Sequence, residues 1–123
     1  MIHLDTNFLI QSLVPGSIYA VKLESWLVSD EDLGISTIAW SEFLCGPLSS
    51  KDAAFAELLF PFQEHFLSAD ARKPAELFNA TGRRSRTLAD CQIAAVALRC
   101  GARIATGNAV DFIPFQGYGL VFA

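Results

Sequence analysis

The sequence predicts a single α/β domain with a central parallel sheet of about four to five short strands flanked by helices. Strand-like and helix-like segments alternate along the whole chain, which is typical of a parallel sheet covered on both faces. The length of 123 residues is enough for one hydrophobic core and too short for two. No repeat, low-complexity tract or linker interrupts the alternation, so we expect residues 1–123 to form one domain.

The predicted strands are short apolar runs bounded by turn residues. The first opens the chain, and the sequence Asp5-Thr6-Asn7 follows it directly. Ligands of open α/β sheets collect at the carboxyl ends of the strands, so we expect Asp5 at such an edge, although an Asp there can also simply cap the next helix. The other strand candidates are residues 33–36, 65–68 (a weak candidate), 103–106 and 120–122.

Helices are predicted between these strands from apolar spacing and from their end signals. Thr6 or Asn7 would cap a short first helix, and Ser49 or Ser50 would cap a helix over residues 53–60. A long loop with a short turn is expected over residues 107–119. The other predicted helices cover residues 17–29, 37–45, 74–81 and 88–100.

Asp90 stands at the start of the last predicted helix. Thr87 and Asp90 match a capping box, in which the Asp90 carboxylate would serve the helix end. Asp90 also shares a helix face with Ile93 and Ala94, which belong to the apolar stripe. Capping does not require an inward orientation, so Asp90 is a candidate for a buried polar site as well as for a cap.

Glu42 and Asp111 are two further candidates. Glu42 shares a predicted helix face with Ile38, where an unpaired carboxylate would cost several kcal/mol unless it meets an Arg or a cation. Asp111 follows a predicted strand much as Asp5 follows the first one, although a single Asp in a loop is common.

All four carboxylates fall at a strand end or a helix start, and in a parallel sheet those points lie on one edge. Close carboxylates repel one another unless a cation neutralises them. An oxygen-only set of ligands suits Mg²⁺ or Mn²⁺, whereas two His and no paired Cys argue against zinc. The chain has 13 acidic and 9 basic residues, so these four account for its whole excess of negative charge.

A basic segment containing Arg83, Arg84 and Arg86 precedes the Asp90 helix, where positive charge is unfavourable for the helix dipole. Contact with phosphates would explain this placement, and a solvated basic loop is the alternative. The sequence has neither a G-x-S-x-G elbow nor a Walker A loop, which argues against serine acyl transfer and P-loop nucleotide binding.

The composition indicates which partners and which cellular compartment to expect. With 52% hydrophobic residues, 10 Phe and a mean hydropathy of +0.36, we expect apolar surface left over for a homodimer or an obligate companion. We identify no membrane span and no signal peptide. The three cysteines form no C-x-x-C pair, so we expect reduced thiols in a cytoplasmic protein.

Four blocks of the sequence resemble the PIN domain, and more narrowly the VapC-type toxins, which are ribonucleases of type II toxin–antitoxin pairs. The blocks appear in family order and span most of the chain. They are residues 2–10, 36–46, 88–95 and 106–112.

The resemblance implies a PIN-like fold and a Mg²⁺- or Mn²⁺-dependent endoribonuclease. Its acidic quartet corresponds to the four carboxylates described above, with Thr6, Asn7 and Thr106 as supporting polar groups. Asn108 stands where many relatives carry Asp, which leaves the choice between one and two metal ions open. The family also implies an RNA substrate and a cognate antitoxin that presents Arg or Lys to the acidic pocket.

The mechanism expected from the resemblance is metal-assisted hydrolysis of RNA, with Asp5 and Asp90 as direct ligands. A non-catalytic RNA-binding or scaffolding module that retains the fold is the main alternative. An aspartyl-phosphate enzyme is a second alternative, but Asn7 stands where such enzymes need another Asp. His3 interrupts an otherwise apolar strand, and the sequence does not explain it.

Overall fold

A three-stranded parallel sheet lies at the centre of the computed structural model, which describes residues 1–123. Strand β1 (Ile2–Leu4) is in the middle, between β2 (Leu33–Gly34) and β3 (Arg103–Ala105). His3 pairs with Gly34 on one side and with Ile104 on the other. This order makes the end of β1 the centre of the carboxyl edge of the sheet.

The predicted α/β architecture with a parallel sheet and flanking helices is confirmed, but the predicted count of four to five strands is wrong. Of the two other strand candidates, residues 65–68 form no bridge, and only the preceding Glu64 pairs with Ser36, whereas residues 120–122 contribute one parallel bridge, between Phe122 and Ile104. The chain after Glu64 soon enters a 3₁₀ turn, so the pairing stops after one residue. Each bridge covers part of one edge of the sheet without adding another strand to it.

Seven α-helices surround the sheet, and 3₁₀ turns cover Ser68–Ala71, Ser85–Thr87 and Ile113–Tyr118. The four-residue helix α7 lies in the segment expected to be mostly loop. The helices are α1 (Thr6–Ser12), α2 (Ile18–Val28), α3 (Thr37–Leu44), α4 (Ser50–Leu59), α5 (Arg72–Ala80), α6 (Leu88–Arg99) and α7 (Ala109–Phe112).

The helix caps differ from two of the predictions. Asp5, rather than Thr6 or Asn7, caps α1 through its carboxylate. The predicted capping box at α6 is absent, because the Thr87 hydroxyl donates to the Arg84 carbonyl at 2.8 Å instead of capping the helix. Asp90 is therefore not engaged in capping. The prediction that Ser49 or Ser50 caps α4 is met by Ser49.

The core lies on both faces of the sheet and consists mainly of aromatic and aliphatic side chains. Helix α6 contributes small and branched side chains, including Ile93 and Ala94, that let it pack closely on the other elements. All three cysteines are free. None of the helices combines the length and the apolar character that crossing a membrane would need.

Candidate active site

Asp5 is fixed at the end of β1 by contacts to both of its carboxylate oxygens. Its Oδ1 accepts from the Thr6 backbone N–H at 2.7 Å, and its Oδ2 accepts from the Thr106 hydroxyl at 2.8 Å. Its own N–H donates to the Ala105 carbonyl at 2.8 Å, which continues the β1–β3 pairing. Asp5 is only 3% exposed, so its position is set by the sheet.

Glu42 reaches the same edge through Thr6. The Thr6 hydroxyl donates to Glu42 Oε1 at 2.9 Å, which ties α3 to the residue next to Asp5. The expectation that Glu42 lies on a buried face is wrong, because its side chain is exposed at the start of the last turn of α3. No Lys or Arg forms a salt bridge with Glu42, so the alternative of an Arg partner is also not met.

Asp90 and Asp111 line an open cavity of about 520 Å³. Asp90 lies in the first turn of α6 and is partly buried, whereas Asp111 lies on α7 and is exposed. The remaining lining residues come from the segment before α6, and no apolar side chain lines the cavity. They are Arg84, Ser85, Arg86 and Thr87.

The four carboxylates lie close enough for their charges to act on Asp5 and Asp90. Burial raises the pKa of Asp90 to about 7, and the charges of Asp5, Asp111 and Glu42 contribute to this increase. Burial also raises the pKa of Asp5, while the hydrogen bonds from Thr106 and Thr6 lower it. The site therefore concentrates negative charge that the protein itself does not neutralise.

These carboxylates do not form a ready-made metal centre, since no three His, Cys, Asp or Glu side chains are grouped closely enough to hold one ion. Electrostatic repulsion acts over several ångströms, whereas hard divalent cations need oxygens at about 2–2.6 Å. The donor set fits Mg²⁺ or Mn²⁺ by its chemistry, because all four side chains offer carboxylate oxygens.

The supporting polar residues lie beside Asp5. Thr106 both donates to Asp5 and accepts from the Asn108 backbone N–H at 2.9 Å. Asn108 itself caps α7 without a side-chain hydrogen bond. Asn7 is partly buried on α1, next in sequence to Thr6.

The three arginines before α6 do not act as one group. Arg84 and Arg86 line the cavity and form no salt bridge. Arg83 does not line it, because its backbone has a positive φ of 54° and its Nε donates to Asn79 Oδ1 at 3.2 Å. The structure thus brings two of the three predicted arginines to Asp90.

Sequence reasoning did not identify Gln11 and Gly107 as neighbours of this site. A Cβ placed on Gly107 would lie 2.8 Å from Gln11 Nε2, so the glycine allows this side chain to approach the loop after Thr106. No sequence signal indicates this contact, because the two residues lie on different elements. Ser85 and Thr87 are two further cavity residues that the sequence does not indicate, since the Thr87–Asp90 spacing predicts a capping role for Thr87.

The family model of the PIN domain matches residues 2–112, a range that includes all four carboxylates. The chain belongs to the PIN domain family. This confirms the resemblance that the four sequence blocks indicate. Among curated proteins, none matches the sequence of this PIN domain.

Several solved structures share the fold of this PIN domain. FitAcB from Neisseria gonorrhoeae is 23% identical with a TM-score of 0.73, and the match covers 100% of this chain and 97% of that one. VapBC2 from Rickettsia felis, bound to a DNA fragment from the promoter, is 18% identical with a TM-score of 0.71, covering 100% and 98%. VapC20 from Mycobacterium tuberculosis, a Sarcin-Ricin loop cleaving toxin, is 18% identical with a TM-score of 0.66, also covering 100% and 98%.

Proposed function

We propose that this PIN domain is a Mg²⁺- or Mn²⁺-dependent endoribonuclease and the toxin component of a type II toxin–antitoxin system. The observation that carries the proposal is the grouping of Asp5, Glu42, Asp90 and Asp111 at one edge of the sheet, where burial, together with the charges of the other three carboxylates, raises the pKa of Asp90 to about 7. Such a group is costly to the fold unless it serves to bind a cation. The similarity to VapC20, an RNA-cleaving toxin, supports RNA as the substrate.

Asp5 and Asp90 are the proposed direct ligands of the metal ion, and Glu42 and Asp111 would bind it directly or through water. A bound divalent cation supplies Lewis-acid chemistry, which polarises the scissile phosphate and lowers the pKa of a water molecule. Asp5 is held in place by the hydrogen bonds from Thr6 and Thr106. Thr6 orients Glu42 in the same way.

Arg84 and Arg86 are the proposed RNA-binding residues. Both line the cavity beside Asp90 and have no carboxylate partner in a salt bridge. Their guanidinium groups would neutralise phosphates on either side of the scissile bond. Because no apolar side chain lines this cavity, we expect it to hold the RNA backbone rather than stacked bases.

The proposed protein partners are a cognate antitoxin and a second copy of the chain. An apolar groove of about 300 Å³ runs past Ile10, Val14, Phe43 and Leu48, and other large apolar side chains are exposed elsewhere. Surfaces of this kind mark protein interfaces, and VapBC2 is a structural neighbour. The three free cysteines are compatible with the cytoplasm as the proposed location.

The test of the proposed activity is cleavage of an RNA substrate by wild type and by Asp5→Asn, with Mg²⁺ and with a chelator. Wild type should cleave only with the metal, and Asp5→Asn should lose roughly a thousandfold or more in rate while remaining folded. Glu57→Gln, at an exposed position on α4, is the matched control and should cleave normally.

An active Asp5→Asn variant would refute the assignment of the site. RNA binding without metal-dependent cleavage by wild type would instead favour the non-catalytic RNA-binding or scaffolding module. Light scattering that finds a monomer at micromolar concentration, with no partner co-purifying, would count against the dimer and the antitoxin.

A further inference from the structure

Gln11 is a polar residue of α1 that lies beside the proposed active site. It shares a face of this helix with Asn7, and it follows Thr6 by five residues, which is about 7–8 Å along the helix axis. Its carbonyl oxygen accepts hydrogen bonds from the Ser17 hydroxyl at 2.9 Å and from the Val14 N–H at 3.1 Å. The backbone of Gln11 is therefore fixed near the end of α1.

The carboxamide of Gln11 has no partner within the chain, although the residue is partly buried. The one hydrogen bond between Gln11 and another side chain is the bond from Ser17, and it ends on the backbone of Gln11. The carboxamide oxygen can accept hydrogen bonds, and its nitrogen carries two hydrogens to donate. This side chain is therefore available to a ligand.

Gly107 leaves room for this carboxamide. A Cβ at this position would lie 2.8 Å from Gln11 Nε2 and 3.3 Å from Gln11 Cδ. The backbone of Gly107 does not itself require glycine, because its φ lies outside the left-handed region. The close approach of Gln11 is thus the feature that any larger residue at position 107 would disturb.

The loop around Gly107 belongs to the active site. The preceding Thr106 donates its hydroxyl hydrogen to Asp5 Oδ2 at 2.8 Å and accepts from the Asn108 N–H at 2.9 Å. The Gln11 carboxamide therefore lies against the loop that orients Asp5, next in sequence to the residue that does so. An RNA segment bound at the carboxylates would pass within reach of this unpartnered amide.

The chemistry of a carboxamide favours a base over a phosphate. A phosphate offers only acceptor oxygens, which suit the guanidinium groups of Arg84 and Arg86 in the cavity. The carboxamide of Gln11 instead carries a donor and an acceptor side by side. The edge of an unpaired base presents the same combination, and Gln is a common partner of such edges.

We propose that the Gln11 carboxamide hydrogen-bonds the edge of an unpaired base in the RNA segment bound at Asp5, and that the missing side chain of Gly107 leaves it the room to do so. This inference rests on the proposed ribonuclease function and adds a substrate-binding residue to it. Gln11 contacts a base, whereas Arg84 and Arg86 contact the backbone.

The test measures the binding of fluorescein-labelled RNA hexamers to the full chain carrying Asp5→Asn, which prevents cleavage in the presence of Mg²⁺. Hexaadenylate is compared with a hexamer of abasic ribose phosphates, which has the same backbone and no bases. Adding Gln11→Ala should weaken the binding of hexaadenylate about tenfold and leave that of the abasic hexamer within about twofold. Retained binding of the abasic hexamer also shows that the variant is folded.

Gln116→Ala is the matched control, since it makes the same change at an exposed position that does not line the cavity. It should alter the binding of neither hexamer. If Gln11→Ala binds hexaadenylate as tightly as the parent does, or loses as much affinity for the abasic hexamer as for hexaadenylate, the proposal is overturned.

Gly107→Ala tests the role of the missing side chain. It should weaken hexaadenylate binding by displacing the carboxamide, and it should have no further effect when Gln11→Ala is already present. Losses that add in the double variant would show that Gly107 acts separately from Gln11, which would overturn this part of the proposal.

Arg84→Ala distinguishes a failure of this inference from a failure of the proposed function. It should weaken the binding of both hexamers, because its guanidinium group contacts the backbone that they share. If Arg84→Ala weakens both and Gln11→Ala weakens neither, the base contact alone is refuted. If the Asp5→Asn chain binds neither hexamer, the proposed action on RNA is refuted together with the base contact.

Discussion

Thr106 donates its hydroxyl hydrogen to Asp5 Oδ2 at 2.8 Å, although 101 positions separate the two residues in the chain. The same hydroxyl oxygen accepts the Asn108 N–H at 2.9 Å. Thr106 therefore connects the loop that leads to Asp111 with the carboxylate at the end of β1. This contact lowers the pKa of Asp5 against the effect of burial.

Thr106→Val should lower the cleavage rate about 10–100-fold, the usual effect of removing a group that orients a metal ligand. Valine has nearly the same shape but cannot donate to Asp5. Thr106→Ser keeps the hydroxyl and should retain most of the activity, which separates the hydrogen bond from packing. Single-turnover cleavage at saturating Mg²⁺ measures the effect, and equal rates for the Val and Ser variants would show that the hydrogen bond is unimportant.

The position of Asp5 could be predicted from sequence because it depends on local signals, an apolar strand followed by a polar turn. The α/β class with a parallel sheet can be predicted in the same way, because strand-like and helix-like segments alternate along the chain. The strand count could not be predicted, because residues 65–68 and 120–122 have strand-like composition, but only Phe122 and the residue before the first segment, Glu64, make a bridge. Tertiary pairing decides this, and composition does not.

The surroundings of Asp90 show a different limit. The Thr87–Asp90 spacing predicts a capping box, but a 3₁₀ turn before α6 directs the Thr87 hydroxyl to the Arg84 carbonyl. The exposure of Glu42 was missed for a related reason. Its helix face was read from sequence, whereas its side chain lies in solvent and bonds to Thr6 on another helix.

The metal-free protein should become less stable as the pH rises from about 4 to about 7. The pKa of Asp90 is about 7 in the folded state against an ordinary 3.8, so in this window the folded chain binds more protons than the unfolded one. Stability is therefore lost as folded Asp90 ionises. Melting temperatures measured in a chelator check this.

Asp90→Asn is the appropriate comparison, because other groups titrate in the same range. In this variant the melting temperature should fall less steeply as the pH rises. Part of the fall should remain, because the pKa of Asp5 is also raised. The buried His3 acts in the opposite direction, since burial lowers its pKa. A pH dependence that is the same in wild type and Asp90→Asn would contradict the prediction.

Arg84→Ala and Arg86→Ala should each weaken RNA binding and reduce the slope of log affinity against log salt concentration by roughly one. Arg83→Gly should bind RNA normally, because Arg83 does not line the cavity. Glycine also relieves the positive φ of 54°, so this variant should be as stable as wild type or more stable by up to about 1 kcal/mol. Affinities measured at several salt concentrations test the RNA-binding part, and melting curves test the stability part. If Arg83→Gly loses as much RNA binding as Arg84→Ala and Arg86→Ala, Arg83 belongs to the RNA-binding surface and the prediction is wrong.

Gly34→Ala and Gly107→Ala should differ in cost, although the new Cβ would lie 2.8 Å from a neighbouring side chain in both. At Gly34 the neighbour is the ring of His3, a buried residue of the middle strand whose displacement would disturb the core, so we expect a loss of about 1–3 kcal/mol. At Gly107 the neighbour is the end of the flexible Gln11 side chain, which can turn away, so the loss should be below about 1 kcal/mol. Chemical denaturation measures both losses.

His3→Ala combined with Gly34→Ala should cost less than the sum of the two single changes, because the contact is then absent. Additive losses would mean that the ring does not restrict residue 34.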